Sequence, residues 1–173
     1  LKIKCKFRSK VMMKYSEIRG NLFDYSSTHY LVHCISSDFE MGKGIVVQFN
    51  KRFDLKNEIW KKYNGNLLSQ WPDNCSSCDL ISFSGSKGVF SLITKKRYFQ
   101  KPTYDTLRRS LEDMKLLLIE LIQKNNENGS SEKIKIALPA IGCGLDKLDW
   151  QRVKGILFDI FNDMDIEMLF VSQ

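Results

Sequence analysis

Three features of the sequence predict an α/β fold: a mixed, mainly parallel sheet with helices on both faces. Short apolar runs alternate with longer stripes at helical spacing through much of the chain. Two of the runs, residues 30–35 and 134–138, each lead into a glycine turn and then a helical pattern, the unit from which parallel sheets are wound. Residues 79–83 and 89–94, joined by Gly85-Ser86-Lys87-Gly88, read as a hairpin.

Taken in order, residues 1–10 alternate basic and less polar side chains with period two, as on a half-buried edge strand. Residues 1–11 read equally as a basic tail ahead of a domain spanning 12–173. A weak strand at 15–18 ends at Gly20-Asn21. Residues 30–35 form an almost continuous apolar run of the kind buried in parallel sheets, closed by Ser36-Ser37-Asp38. After Met41-Gly42-Lys43-Gly44, the four-residue spacing of Ile45, Phe49 and Phe53 predicts a helix. From 54 to 80 the pattern weakens, with a short helix at 58–63, a strand at 67–71 and a polar loop at 72–77. Pro102-Thr103 opens the longest helix, and its Leu107, Leu111, Met114, Leu118, Leu121 and Ile122 make a core-facing stripe. A solvated loop is expected at 125–131. Asp149 caps a last helix with Val153, Ile156, Leu157, Ile160 and Phe161 turned inward, and 166–171 is the final strand.

The 173 residues suit one domain with one sizeable core, and no internal repeat or domain boundary stands out. No apolar run approaches the ~18 residues of a membrane span and no signal-peptide pattern appears, so no membrane partner is expected. The net charge of +7 favours an anionic partner without choosing among nucleic acid, nucleotide and acidic protein. Five scattered cysteines do not resemble a disulfide framework and suggest a reducing compartment. Cys75-Ser76-Ser77-Cys78 has the spacing of half a zinc site, but no second pair accompanies it and His29 and His33 are far upstream; two free thiols in a loop is the plainer reading.

The chemistry concentrates in Pro139-Ala140-Ile141-Gly142-Cys143-Gly144-Leu145-Asp146. Strand, glycine turn and helix start let the backbone approach an anion, with the first helical N–H groups facing it. The same pattern also suits an ordinary turn with Asp146 as a cap. An aspartate is costly beside a phosphate, so Asp146 is expected to face another part of a ligand. The Gly42–Gly44 turn repeats the motif, and two such turns at one end of a sheet are better evidence than one.

Read together, the motifs resemble the macro domain, an ADP-ribose-binding module, and most closely its terminal ADP-ribose protein glycohydrolase (O-acetyl-ADP-ribose deacetylase) branch. The pieces that carry the resemblance are Arg19-Gly20-Asn21-Leu22-Phe23, His33-Cys34-Ile35-Ser36, Met41-Gly42-Lys43-Gly44-Ile45, Leu92-Ile93-Thr94-Lys95-Lys96-Arg97, Lys101-Pro102-Thr103-Tyr104 and Leu138 through Asp146. They run in family order from about residue 15 to the end. The resemblance implies a three-layer α/β/α fold, removal of ADP-ribose from Glu and Asp side chains, and deacylation of O-acetyl-ADP-ribose, with no metal or other cofactor.

Lys95 matches the family's nucleophile and Asp146 its acid/base. A lysine amine can attack the anomeric carbon of the distal ribose and expel a carboxylate, but must first be unprotonated. The aspartate can move protons and help release the sugar. The family's binding plan places Gly42, Gly44, Ile45, Ile141, Gly142, Cys143, Gly144 and Leu145 around the diphosphate and distal ribose. Ser36 and Thr94 lie close by, with Asn21 and Leu22 at the adenine end. Many macro domains carry an aspartate where this chain has Asn21, whose carbonyl oxygen can accept the same bond without the charge. The multi-glycine catalytic loop of other macro-domain hydrolases is missing here.

Implied partners are ADP-ribose, O-acetyl-ADP-ribose, mono-ADP-ribosylated proteins and possible ADP-ribosylated nucleic acid. The expected setting is nucleus and cytoplasm, as a monomer. The competing readings are a non-catalytic ADP-ribose reader, motivated by Asn21, and a nucleic-acid-binding module, motivated by charge.

Overall fold

The computed structural model describes residues 11–63 and 76–173. Its strands are β1 (Lys14–Arg19), β2 (Tyr30–Ser36), β3 (Ser77–Ile81), β4 (Val89–Lys95), β5 (Ile134–Leu138) and β6 (Ile166–Ser172). They form one sheet in the order β1-β6-β5-β2-β4-β3. Every neighbouring pair is parallel except β3–β4, so the expected mixed, mainly parallel α/β sheet is what the chain builds.

Four helices among the described residues cover the faces: α1 (Val46–Phe53), α2 (Leu55–Lys62), α3 (Tyr104–Glu127) and α4 (Trp150–Phe161). Side chains alternate across each strand, so the sheet has two cores. Val32, Phe90, Leu92, Ile136 and Leu138 pack under α3 and α4 with Leu107, Leu111, Met114, Val153 and Leu157. Leu31, Ile35, Val89, Ile93 and Ala137 pack on the other face with Phe49, Leu55 and Ile59 of α1 and α2. Burying an aliphatic side chain in either layer contributes roughly 1.5–3 kcal/mol.

The α3 stripe lies as its spacing predicts: Leu107, Leu111, Met114 and Leu118 are buried, and Leu121 and Ile122 pack at the margin. Thr103 and Thr106 form a reciprocal capping box at its start. Asp149 caps α4 by accepting from the Arg152 N–H at 3.0 Å.

The structure corrects several expectations. Helix α3 runs through Glu127, into the loop predicted at 125–131; Gly129, at φ 71°, supplies the left-handed turn that ends it. Strand β3 starts at Ser77, two residues earlier than its apolar run suggests. Cys78 therefore sits buried in a strand, not in a loop; its N–H donates to Asp113 Oδ2 at 2.7 Å. Helix α2 begins at Leu55, three residues before the expected start. A 3-10 turn at Leu22–Tyr25 carried no periodic signal and is held by the Asn21 cap. The strand expected at 67–71, Cys75 and the N-terminal segment 1–10 lie outside the described residues.

Candidate active site

The parallel strands all end at one edge of the sheet, where open α/β folds bind ligands. Strands β5 and β2 pair over only two residue pairs, Tyr30 with Ile136 and Leu31 with Ala137. Beyond that point β2 continues beside β4 alone, and the loop after β5 turns up along its open flank. The crevice lies between that loop and the ends of β2 and β4.

Lys95 stands at the end of β4. Register between β2 and β4 slips by one residue: Ile35 faces Ile93, and Ser36 faces Lys95. Thr94 is the extra residue. Bulges of this kind bend a strand and re-aim the side chain that follows. Thr94 is buried and its Oγ1 meets no protein partner. The Ser36–Asp38 segment then holds the continuing chain beyond the sheet. The Ser37 N–H donates to the Lys95 carbonyl at 2.9 Å, the Asp38 N–H to the Lys96 carbonyl at 3.1 Å, and the Ser37 hydroxyl to the same Lys96 carbonyl at 3.0 Å.

Asp146 comes from the other side of the crevice. Its loop is folded on itself by Cys143 N–H to Ala140 O at 3.1 Å, Lys147 N–H to Gly144 O at 3.2 Å and Leu148 N–H to Gly142 O at 2.8 Å. Gly142 has φ 70°, the left-handed region that favours glycine, and packs beside the tip of Leu148, whose Cδ1 would stand 2.9 Å from a Cβ there. The turn delivers Asp146 Oδ1 to 2.7 Å from Lys95 Nζ. Lys95 and Asp146 are 15% and 14% exposed, reachable from solvent yet largely shielded from it.

The two glycine loops meet. A Cβ on Gly44 would lie 3.5 Å from Leu145 Cδ1. Among the described residues, no protein acceptor meets the N–H groups of Gly44 and Ile45 or of Gly144 and Leu145. Donors in facing turns, one of them opening α1, suit an anion. Gly42 is exposed, Ile45 is half-buried and Ile141 is buried beneath its loop.

The remaining predicted residues are placed as follows. Ser36 is buried, and its hydroxyl donates to Asp38 Oδ1 at 2.5 Å. Asn21 follows β1 and caps the 3-10 turn Leu22–Tyr25, whose Leu22 and Phe23 pack with Leu31 and Ile35 of β2. The Asn21 side-chain oxygen accepts from the Phe23 N–H at 3.0 Å, with buried Leu22 beside it.

The thiols lack nucleophile character. Burial pushes the Cys143 thiol up to about 11, with the nearby Asp149 charge adding to it. Cys34 is pushed up to about 12 by burial and then by Asp146, with Lys95 pulling the other way. Among the described residues no group of three or more His, Cys, Asp or Glu converges to hold a metal ion.

Sequence reading treated Asp38 only as a strand stop. In the fold its carboxylate accepts from the Ser36 hydroxyl and from the Tyr98 N–H at 2.9 Å, tying the loop after Lys95 to the end of β2. Lys101 was a motif letter only, and its ammonium donates to the Leu145 carbonyl across the crevice. The signal for Asp38 was its position directly after a strand that leads into a glycine loop, although one of its partners, Tyr98, is 60 residues away.

This sheet, with two glycine loops flanking a crevice at its parallel end, is a macro domain. The chain aligns with the macro domain of Thermus aquaticus DarG at TM-score 0.68 and 20% identity, covering 93% of this chain and 99% of that one. It also aligns with Thermosipho africanus DarTG, solved in complex with ADP-ribose, at TM-score 0.66 and 15% identity, over 92% of this chain and 42% of that one. No protein-family model matches the chain. Its sequence is 37% identical to the ADP-ribose glycohydrolase OARD1 of Bos taurus over 153 residues, 87% of this chain and 86% of that protein. The Homo sapiens protein of the same name is 35% identical over the same shares. The chain belongs to this ADP-ribose glycohydrolase family of macro-domain hydrolases.

Proposed function

We propose that this protein releases ADP-ribose from Glu and Asp side chains and deacylates O-acetyl-ADP-ribose, with Lys95 as nucleophile and Asp146 as acid/base. The observation that carries the reading is the 2.7 Å contact between Lys95 Nζ and Asp146 Oδ1 where the two glycine loops meet. The names of the OARD1 relatives, and the ADP-ribose held by DarTG, supply the ligand.

The crevice suits a two-ended ligand with an anionic middle. In this reading Asn21 and Leu22 take the adenine, and the N–H groups of Gly44, Ile45, Gly144 and Leu145 face the diphosphate. Ser36 and Thr94 lie beside the distal ribose. For ester substrates, Asp146 Oδ1 accepts the proton that Lys95 must shed. Nζ then attacks the anomeric carbon: the C–N bond forms as the C–O bond breaks, and the electron pair leaves on the acceptor carboxylate. Asp146 passes that proton to the departing carboxylate. The freed Asp146 carboxylate then takes a proton from water, whose oxygen bonds to the anomeric carbon as the C–N bond breaks and its electron pair returns to Nζ. The proton passes back to Lys95 as ADP-ribose leaves. In this reading no metal takes part, and the protein acts as a monomer in nucleus and cytoplasm.

The test is to incubate wild type and Lys95→Ala with a glutamate-linked mono-ADP-ribosylated protein and follow ADP-ribose release. Release by wild type alone is the expected result. Release by neither, with ADP-ribose still bound in a titration, makes the protein a reader.

A further inference from the structure

The segment that follows Lys95 carries two aromatic rings that the fold does not use. Phe99 is 70% exposed and Tyr98 55% exposed, with ring centroids 5.5 Å apart in an edge arrangement. Leu145, 59% exposed, adds a third bare apolar side chain from the opposite loop. A loose loop would explain such exposure, but this one is pinned at several points. Asp38 Oδ2 accepts from the Tyr98 N–H at 2.9 Å, and Gln100 closes a turn on Arg97 through both its N–H and its side-chain oxygen at 3.0 Å. Lys101 donates to the Leu145 carbonyl, joining the loop to the far wall. Rings held this way lose little conformational freedom when something packs on them.

The loop is also cationic. Residues 95–101 contain Lys95, Lys96, Arg97 and Lys101 and no acid. Including the turn at 41–44, the loop at 139–146 and Asp38 and Glu40, the count is five cations to three acids. Four of the five cations lie within residues 95–101, whereas a nucleic-acid strand is usually tracked by an extended basic groove.

Building on the proposed reaction, we infer that Arg97, Tyr98, Phe99 and Leu145 form the acceptor side of the site and take the acidic peptide segment flanking an ADP-ribosylated glutamate or aspartate. The rings receive the peptide's apolar and backbone surface. Arg97 and its cationic neighbours favour carboxylates before and after the modified residue. Arg97, Tyr98 and Phe99 set which acceptor is processed and take no part in holding ADP-ribose, whereas Leu145 serves both sides, its N–H toward the diphosphate and its side chain toward the acceptor.

The test compares wild type with the Tyr98→Ser/Phe99→Ser double variant on three substrates: an ADP-ribosylated peptide with acidic flanks, the same peptide with lysine flanks, and O-acetyl-ADP-ribose, which has no peptide. For the double variant, kcat/KM on the acidic peptide is expected to fall about tenfold, mainly through KM, with O-acetyl-ADP-ribose turnover unchanged. Arg97→Glu is expected to narrow or reverse the preference for acidic over lysine flanks, an effect that shrinks with added salt. An equal loss on all three substrates, or none on the peptides, overturns the inference. So does a rim-dependent preference for an ADP-ribosylated oligonucleotide over the acidic peptide. If wild type turns over none of the substrates, the hydrolase reading itself fails; if wild type is active and the double variant matches it, only the acceptor surface does.

Discussion

The molecule holds two lysine–aspartate pairs of near-identical local chemistry. Lys95 and Asp146 meet at 2.7 Å, and Lys62 and Asp79 at 2.5 Å. The second pair joins α2 to β3: Lys62 also donates to the Leu80 carbonyl at 3.2 Å, and Asp79 is buried with Oδ2 unpartnered. Lys62 itself is 44% exposed, and the pair borders the antiparallel edge of the sheet. Lys95 and Asp146 are both about 15% exposed, arise from opposite walls of a crevice, and lie beside backbone donors with no protein acceptor. Residue type and distance therefore do not make a site. What differs is the backbone around the pair: Lys95 and Asp146 are carried by a strand bulge and a glycine turn.

Breaking each pair in turn gives the largest expected contrast. Lys95→Ala should lower ADP-ribose release by about 10³-fold or more, while Lys62→Ala leaves turnover per folded molecule unchanged; single-turnover release assays read both. In thermal or urea unfolding the order reverses. Lys62→Ala orphans a buried carboxylate and should cost about 1–3 kcal/mol, less than for a wholly buried pair because Lys62 is half in water. Lys95→Ala should change stability less than Lys62→Ala does.

A finer cut leaves both pairs intact. Asp38→Ala removes the acceptor that ties the Tyr98 N–H and the Ser36 hydroxyl together, loosening the loop after Lys95. The expected loss is about tenfold in kcat, with little change in unfolding midpoint. An unchanged kcat would mean that the bonds from Ser37 and the Asp38 N–H suffice to hold Lys95.

Acid gives the gentlest test. His33 is buried, stacked on Phe49 at 4.3 Å and bonded through Nε2 to Ser91 Oγ at 2.7 Å; burial pushes its pKa down to about 3. The unfolded chain binds a proton near pH 6.5 and the folded chain does not until about 3. Stability should therefore be full above about pH 6.5 and fall below it, by roughly 1.4 kcal/mol per pH unit from this group. Urea titrations of the wild type at several pH values measure the slope.

Much of this was legible in the chain. The strand runs, the α3 and α4 stripes and the Asp149 cap follow from apolar spacing, a local property. Lys95 and Asp146 are legible as letters of two motifs, but their contact joins residues 51 positions apart and depends on the Thr94 bulge and the Gly142 turn. Nothing in apolar periodicity marks a one-residue register slip. The end of α3 was misread because asparagines at 125 and 126 look like loop residues, whereas Gly129 was the true stop. The work of Asp38 was invisible because one of the groups it holds, the Tyr98 N–H, comes from the loop after β4. Cys78 was misplaced because a polar run hides the start of an edge strand whose N–H is satisfied by Asp113 of α3.

The two-residue pairing of β5 with β2 has a mechanical meaning. It divides the sheet into two half-sheets, β1-β6-β5 and β2-β4-β3, stitched by a short seam and by the side chains packed across it. Lys95 rides on one half and Asp146 on the loop leaving the other. Any change of angle along the seam changes the distance between Lys95 and Asp146, the two groups proposed to react, and a ligand bound as proposed would splint the joint.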